Sequence, residues 1–160
     1  MNLLNRKNIL SIILYFSFFS ILFAYYVELF LNHKPCNLCL LERVPYILSI
    51  IIIITSLIFK KFEKFTFLFL GLIFLLSTLL SIYHVGIEQG LINESPVCKS
   101  GLGLNTLDKE QLLKELEKNS ISCKDVTFSI LGLSLATINT FASLTISLIT
   151  MKIFYNYEKK

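Results

Sequence analysis

The stretch CNLCLLER, residues 36–43, places a Cys-x-x-Cys pair at the start of a long hydrophobic segment. Arg43 follows four residues after the second cysteine of the pair. A helix that begins near Cys39 would carry Cys39 and Arg43 on one face, one turn apart. The helix N-terminus and the guanidinium group would then both favour a thiolate at Cys39. A thiolate beside a second cysteine is typical of proteins that exchange disulfides.

The composition indicates an integral membrane protein. Of the 160 residues, 54% are hydrophobic and only 16% are charged, whereas soluble domains carry about 25% charged residues. No basic patch interleaved with aromatic residues indicates a nucleic-acid partner, so that class is excluded. Four apolar runs are long enough to cross a bilayer, at about residues 9–31, 40–59, 65–85 and 128–154.

These runs predict an all-α membrane protein, a single domain over residues 1–160 built as a four-transmembrane-helix bundle. A long loop, at about residues 86–127, separates the third and fourth helices. The first run is longer than the apolar part of a signal peptide and has no small residue two positions before Ala24, so it is predicted to stay uncleaved. Residues 106–118 of the loop predict a short amphipathic helix, which lies either on the membrane surface or in solvent.

The distribution of charge predicts the orientation in the membrane. The two termini and the turn at residues 60–64 carry eight basic and two acidic residues, whereas the link 32–43 and the long loop carry seven basic and eight acidic residues. Because cytoplasmic segments are enriched in lysine and arginine, both termini are predicted to be cytoplasmic. The four cysteines, at positions 36, 39, 98 and 123, then lie outside, where disulfides form and persist.

Two classes of function fit four cysteines on the outer side. The first is redox catalysis by exchange between two cysteine pairs. The second is a non-enzymatic membrane protein with structural disulfides or a metal-carrier role. The spacing of the cysteines does not fit the usual zinc-finger patterns, so no metal site is predicted from the sequence.

The motifs along the chain resemble those of the DsbB family, four-span inner-membrane enzymes that reoxidise DsbA in the bacterial periplasm. The resemblance extends over nearly the whole chain, in order. It is carried by KPCNLC at 34–39, ER at 42–43, PY at 45–46, YH at 83–84, SPVC at 95–98, and Cys123 ahead of LGLS at 131–134.

The resemblance implies a role for each cysteine. Cys98 would form the mixed disulfide with a DsbA-like periplasmic protein of thioredoxin fold, and Cys123 would be its partner in the loop. Cys36 would exchange with the loop pair, and Cys39 would face a membrane quinone, either ubiquinone or menaquinone. The implied activity is that of a protein-disulfide (thiol:quinone) oxidoreductase of the inner membrane.

The resemblance also assigns Arg43, His84 and Glu42 to the quinone site. Arg43 would position and polarise the quinone, while His84 and Glu88, one turn apart, either relay protons or are ordinary interfacial residues. Glu28, near the outer end of the first span, is predicted to be an interfacial residue. A paralogue that serves a dedicated oxidoreductase partner is an alternative within the same family.

Overall fold

The computed structural model describes residues 3–33, 35–59, 63–93, 98, 123–124, 129–130 and 132–158. Within these residues the chain forms five helices and one two-stranded hairpin. The elements are α1 (Leu3–Phe30), α2 (Asn37–Leu41), α3 (Val44–Ile58), α4 (Glu63–Glu88), β1 (Ser129–Ile130), β2 (Leu133–Ser134) and α5 (Leu135–Glu158).

Four helical segments of the described chain are long and apolar enough to span a membrane, namely Arg6–Phe30, Asn37–Ile58, Glu63–Glu88 and Leu135–Asn156. This confirms the predicted all-helical architecture with four spanning helices. The length of the loop between the third and fourth helices and the amphipathic helix predicted at residues 106–118 lie outside the described residues.

The second span is broken into α2 and α3, which the sequence analysis did not predict. Pro45 lies in the first turn of α3 and has no N–H to continue the hydrogen bonding of α2. The break falls at Glu42 and Arg43. Cys39 therefore lies in α2 and Arg43 at the N-cap of α3, not on one continuous helix as expected, although both line one cavity.

The fourth helix begins later than the predicted start near residue 128. Residues 129–130 and 133–134 instead form two antiparallel strands, in which Ser129 pairs with Ser134 and Ile130 with Leu133. Gly132 has a φ of 81°, which glycine adopts at little cost, and this allows the tight turn. The hydroxyl of Ser134 accepts a hydrogen bond from the Thr137 N–H at 3.2 Å, which satisfies a free N–H in the first turn of α5.

The bundle is held together by close contacts between small residues. Helix α4 packs most extensively against α5, and the Ser147 hydroxyl donates to the Gly71 carbonyl at 3.0 Å. A Cβ atom at Gly71 would lie 2.9 Å from Cγ of Met151, so only glycine permits this approach without a shift. Small residues and interhelical hydroxyl bonds of this kind are typical of membrane helices, which have no hydrophobic driving force between them.

Neighbouring spans run in opposite directions, so the end of one span lies beside the start of another. Lys64 at the start of α4 lies over the ring of Phe154 near the end of α5, while Arg43 reaches Glu28 near the end of α1. Large apolar side chains remain exposed around the outside of all four spans, as expected for a surface that faces lipid. The Cys-x-x-Cys pair therefore lies at the end of the bundle opposite to the chain termini.

Candidate functional site

Cys36 forms the N-terminal cap of α2. Its sulfur accepts a hydrogen bond from the Cys39 N–H at 3.2 Å and lies 2.8 Å from the Cys39 sulfur. Neither residue is in a disulfide, and Cys36 is buried while Cys39 is partly buried. The positive potential at the helix N-terminus thus acts on the Cys36 sulfur, because the helix begins at Asn37. This differs from the sequence-based expectation, in which the helix N-terminus acts on Cys39.

His84 of α4 joins this pair from the other side. Its Nε2 lies 3.6 Å from the Cys36 sulfur, and its Nδ1 lies 2.9 Å from Oε1 of Glu42. A carboxylate oxygen can only accept, so the Nδ1–H donates to Glu42 and Nε2 is directed at the cysteine. Cys36, His84 and Glu42 therefore form a continuous line of hydrogen bonds.

The surroundings of Cys36 favour its ionised form. They lower the pKa of its thiol to about 4, first through the hydrogen bond with the Cys39 thiol. Hydrogen bonds from His84 and from the Cys39 N–H, together with the charge of His84, act in the same direction. Burial opposes them, because an anion loses hydration there. Cys36 is thus a thiolate at neutral pH.

This state predicts how Cys36 reacts with an alkylating reagent. In the reduced protein, the rate of its modification by iodoacetamide is expected to be nearly constant between about pH 6 and pH 8, because the thiolate is already fully formed. For a cysteine of ordinary pKa, the labelling rate would fall about tenfold for each unit by which the pH is lowered across this range. The measurement is peptide-resolved mass spectrometry after timed labelling.

His84→Ala and His33→Ala provide the comparison for this prediction. His84→Ala removes a hydrogen bond and a charge, so the pKa of Cys36 rises and labelling at pH 6 slows. His33→Ala removes the other histidine of the chain and should leave the profile flat. A wild-type rate that rises tenfold per pH unit would contradict the thiolate assignment.

Glu42 is held by a second helix as well. Its Oε2 accepts from Nδ2 of Asn139 at 3.0 Å, and the same nitrogen donates to the Ser81 hydroxyl at 2.7 Å. The Tyr46 hydroxyl donates to the Asn139 side-chain oxygen. The sequence analysis missed Asn139 and Ser81. The signal available was an asparagine within an apolar span, since polar groups there are costly and need partners.

Arg43 lies between α2 and α3 and turns towards α1. Its guanidinium donates to Oε2 of Glu28 at 2.7 Å and lies over the ring of Tyr25, 5.1 Å from the ring centre. Glu28 is thus the acidic partner of Arg43, a role that the sequence analysis did not assign. Glu42, its neighbour in the sequence, turns instead towards His84.

The second cysteine pair packs against the first. Cys98 and Cys123 form a disulfide, and each is only 2% exposed. They belong to one buried cluster with Cys36, Leu38 and Ile87, against which Cys39 also packs. All four predicted cysteines therefore meet at one end of the bundle, in one disulfide and one dithiol.

A cavity of about 220 Å³ opens beside the two pairs. Its polar wall is formed by Ser20, His33, Cys36, Cys39, Glu42, Arg43, Tyr46, His84, Glu88, Cys123 and Asn139. Much of the remaining wall is apolar and includes Phe16, Val27 and Ile138. A cavity of roughly 150 Å³ holds benzene, so this one accommodates a substituted single ring. The predicted quinone residues Arg43, His84 and Glu42 all line it.

Comparison with known proteins identifies the family of the chain. The sequence profile of the disulfide bond formation protein DsbB matches residues 6–153. The uncharacterized protein RP370 of Rickettsia prowazekii (strain Madrid E) is 29% identical over 158 residues, which cover 97% of this chain and 91% of RP370. No solved structure matches. With its four long apolar helices, this multi-pass membrane protein belongs to the DsbB family of disulfide bond formation proteins.

Proposed function

We propose that the protein oxidises the dithiol of a DsbA-like periplasmic protein and passes the electron pair to a membrane quinone. The partner's two thiols would reduce the Cys98–Cys123 disulfide and leave with a disulfide of their own. The two loop thiols would then reduce a Cys36–Cys39 disulfide and re-form their bond. Each exchange moves two electrons, and each begins with attack by a thiolate on a sulfur of the disulfide.

The contact between the two cysteine pairs is the observation that carries this proposal. Cys36, Cys98 and Cys123 lie in one buried cluster, so exchange between the pairs needs no long displacement of the backbone. The loop pair is oxidised and the Cys36–Cys39 pair is reduced.

Cys36 is suited to exchange because each step releases one sulfur as a thiolate. The N–H of Cys39 and the ring of His84 both point at the Cys36 sulfur and stabilise negative charge on it. Glu42 holds the His84 ring in that orientation. A structural disulfide would not need this arrangement, since neither of its sulfurs carries charge.

The cavity supports the quinone part of the proposal. A bound quinone would supply an acceptor for two electrons and two protons. Cys39 and Arg43 lie in the cavity wall. The Cys39 sulfur would therefore lie beside a bound ring, and the Arg43 guanidinium would offer positive charge to a ring oxygen. His84 and Glu88, whose Nε2 and Oε1 are 3.8 Å apart, are placed to carry the protons. Either ubiquinone or menaquinone fits these requirements.

The location proposed for this reaction is the inner membrane, with both termini in the cytoplasm and all four cysteines on the periplasmic side. The excess of basic residues at the termini and the 60–64 turn supports this orientation. The function also requires it, because DsbA is a strong oxidant whose reduced form is stabilised and needs a stronger electron sink. A quinone dissolved in the bilayer supplies that sink.

The test is quinone reduction by the purified full chain in detergent, with a reduced DsbA-like protein as electron donor. Turnover is expected with a short-chain ubiquinone or menaquinone, followed by quinone absorbance. Arg43→Ala is expected to raise the KM for quinone about tenfold or more, because it removes a charge-assisted contact of about 1.5–3 kcal/mol. No turnover by the wild type with either quinone would reject the proposal and favour a structural or metal-carrier role.

A further inference from the structure

Three potential metal ligands converge where the first cysteine pair meets α4. The sulfurs of Cys36 and Cys39 and one ring nitrogen of His84 all lie within 4.8 Å of one another. Cys36 and His84 are 48 residues apart in the chain, so no spacing motif in the sequence points to this set. Two thiolates and an imidazole are the ligands that zinc and cadmium prefer.

The orientation of His84 matches that of a metal-binding histidine. Its Nδ1–H donates to Oε1 of Glu42, 2.9 Å away, and its Nε2 is directed at the sulfurs. Glu42 is itself fixed by Asn139 at 3.0 Å. In zinc sites, the ligating histidine usually donates its other ring N–H to a carboxylate or a carbonyl. That hydrogen bond sets the tautomer and the orientation of the ring.

The distances are close to those that a tetrahedral ion requires. With zinc–sulfur bonds of about 2.3 Å and zinc–nitrogen bonds of about 2.0 Å, ligand atoms lie about 3.5–3.8 Å apart. The Cys36 sulfur and His84 Nε2 are 3.6 Å apart. The two sulfurs, now at 2.8 Å, would separate by about 1 Å around such an ion. Oε1 of Glu88 lies 3.8 Å from Nε2 but is outside the set of ligand atoms that lie within 4.8 Å of one another.

We propose that the reduced Cys36–Cys39 pair and His84 form a binding site for a thiophilic divalent cation of the Zn²⁺ class and supply three of its four ligands. The site exists only when the pair is reduced, because a disulfide offers no thiolate. Binding transfers no electrons, and the Nε2–H of His84 and each thiol that is still protonated give their protons to solvent. Because both sulfurs are ligated, the cation would block thiol exchange reversibly. This inference concerns the cysteines and His84 alone and goes beyond the proposed function.

The test uses the full chain with Cys98→Ser and Cys123→Ser, so that the loop pair cannot bind the metal. The reduced protein in detergent is titrated with Cd²⁺, and the ultraviolet absorption of the sulfur–cadmium bonds is followed, with Zn²⁺ as competitor. One ion per chain is expected, and none after Cys36 and Cys39 have been oxidised to a disulfide. Zn²⁺ should also protect both thiols from maleimide.

Variants at the two histidines distinguish a site with three protein ligands, Cys36, Cys39 and His84, from one in which the two cysteines alone bind the ion. His84→Ala is expected to weaken Cd²⁺ binding at least about tenfold, the scale seen when support of a metal ligand is lost. His33→Ala removes the other histidine that lines the cavity and should not change the affinity. Equal affinity in wild type and His84→Ala would overturn the proposal, as would failure of the reduced protein to bind one ion.

A spectroscopic measurement needs no substitution at His84. X-ray absorption at the zinc edge of the loaded protein should show two sulfur ligands and the scattering of one imidazole. A spectrum without imidazole would overturn the proposal even if one ion is bound. Neither measurement uses a quinone or a protein donor, so its result is independent of the enzymatic assay.

Discussion

Replacing Cys39 by serine is expected to reduce quinone turnover to the uncatalysed background. A serine oxygen cannot form a disulfide, so the electron pair delivered to Cys36 has no second sulfur through which to leave. The loss should appear with a protein dithiol as donor and equally with dithiothreitol. Absorbance of the quinone, followed in the purified full chain, measures both rates.

Cys98→Ser separates the two halves of the proposed relay. It should abolish turnover with the protein donor, because the loop disulfide is then absent. Dithiothreitol can reduce the Cys36–Cys39 disulfide directly through the cavity, so turnover with this small donor should persist. The different outcomes for Cys39→Ser and Cys98→Ser identify which pair faces the quinone.

Ser56→Ala is the control for these substitutions. The hydroxyl of Ser56 is buried without a hydrogen-bond partner among the described residues, and the residue lies on α3 away from the cavity. Full activity is expected with either donor. If Cys39→Ser kept more than background activity while Ser56→Ala behaved as wild type, the proposed electron path through Cys39 would be refuted.

The second large effect is expected at Glu42. Glu42→Ala removes the acceptor for the buried Nδ1–H of His84 and for the partly buried Nδ2–H of Asn139. The free energy of unfolding should fall by about 2–5 kcal/mol, since an unpaired buried polar group costs about 1–3 kcal/mol and a buried charge that loses its partner about 3–5 kcal/mol. The same variant should slow the alkylation of Cys36 at pH 6, because His84 is no longer held against its sulfur. Denaturant unfolding in detergent and timed labelling measure the two effects.

Glu28→Ala is the matched comparison for Glu42→Ala. Glu28 also forms one strong ion pair, with Arg43, but its side chain is 31% exposed. Half-exposed pairs contribute about 0–1 kcal/mol, so the loss of stability should stay below about 1 kcal/mol. Equal losses in the two variants would show that burial of the Glu42 network does not contribute as argued.

Among the predicted site residues, those of the Cys-x-x-Cys motif could be assigned from the sequence because they are neighbours in the chain. Cys36 and Cys39 must lie close together in any helical conformation, and the apolar run behind them places the pair at a membrane surface. Glu42 and Arg43 were assigned to one quinone site, and both line the cavity. Their directions differ, however: Glu42 turns to α4 and Arg43 to α1, because adjacent residues on helical backbone do not face each other. Hydropathy does not show which helix each side chain contacts.

The sequence by itself determined the four apolar spans, the charge asymmetry and the membership of the DsbB family, because these depend on composition and order along the chain. Only the tertiary structure decided that Cys36 rather than Cys39 caps the helix, that Glu28 pairs with Arg43, and that Asn139 supports Glu42. The side-chain contacts at Glu42 join it to His84 and Asn139, residues 42 and 97 positions away. They depend on how each helix is rotated about its axis. That rotation is set by packing at small residues such as Gly71. A run of about 20 apolar residues does not determine it.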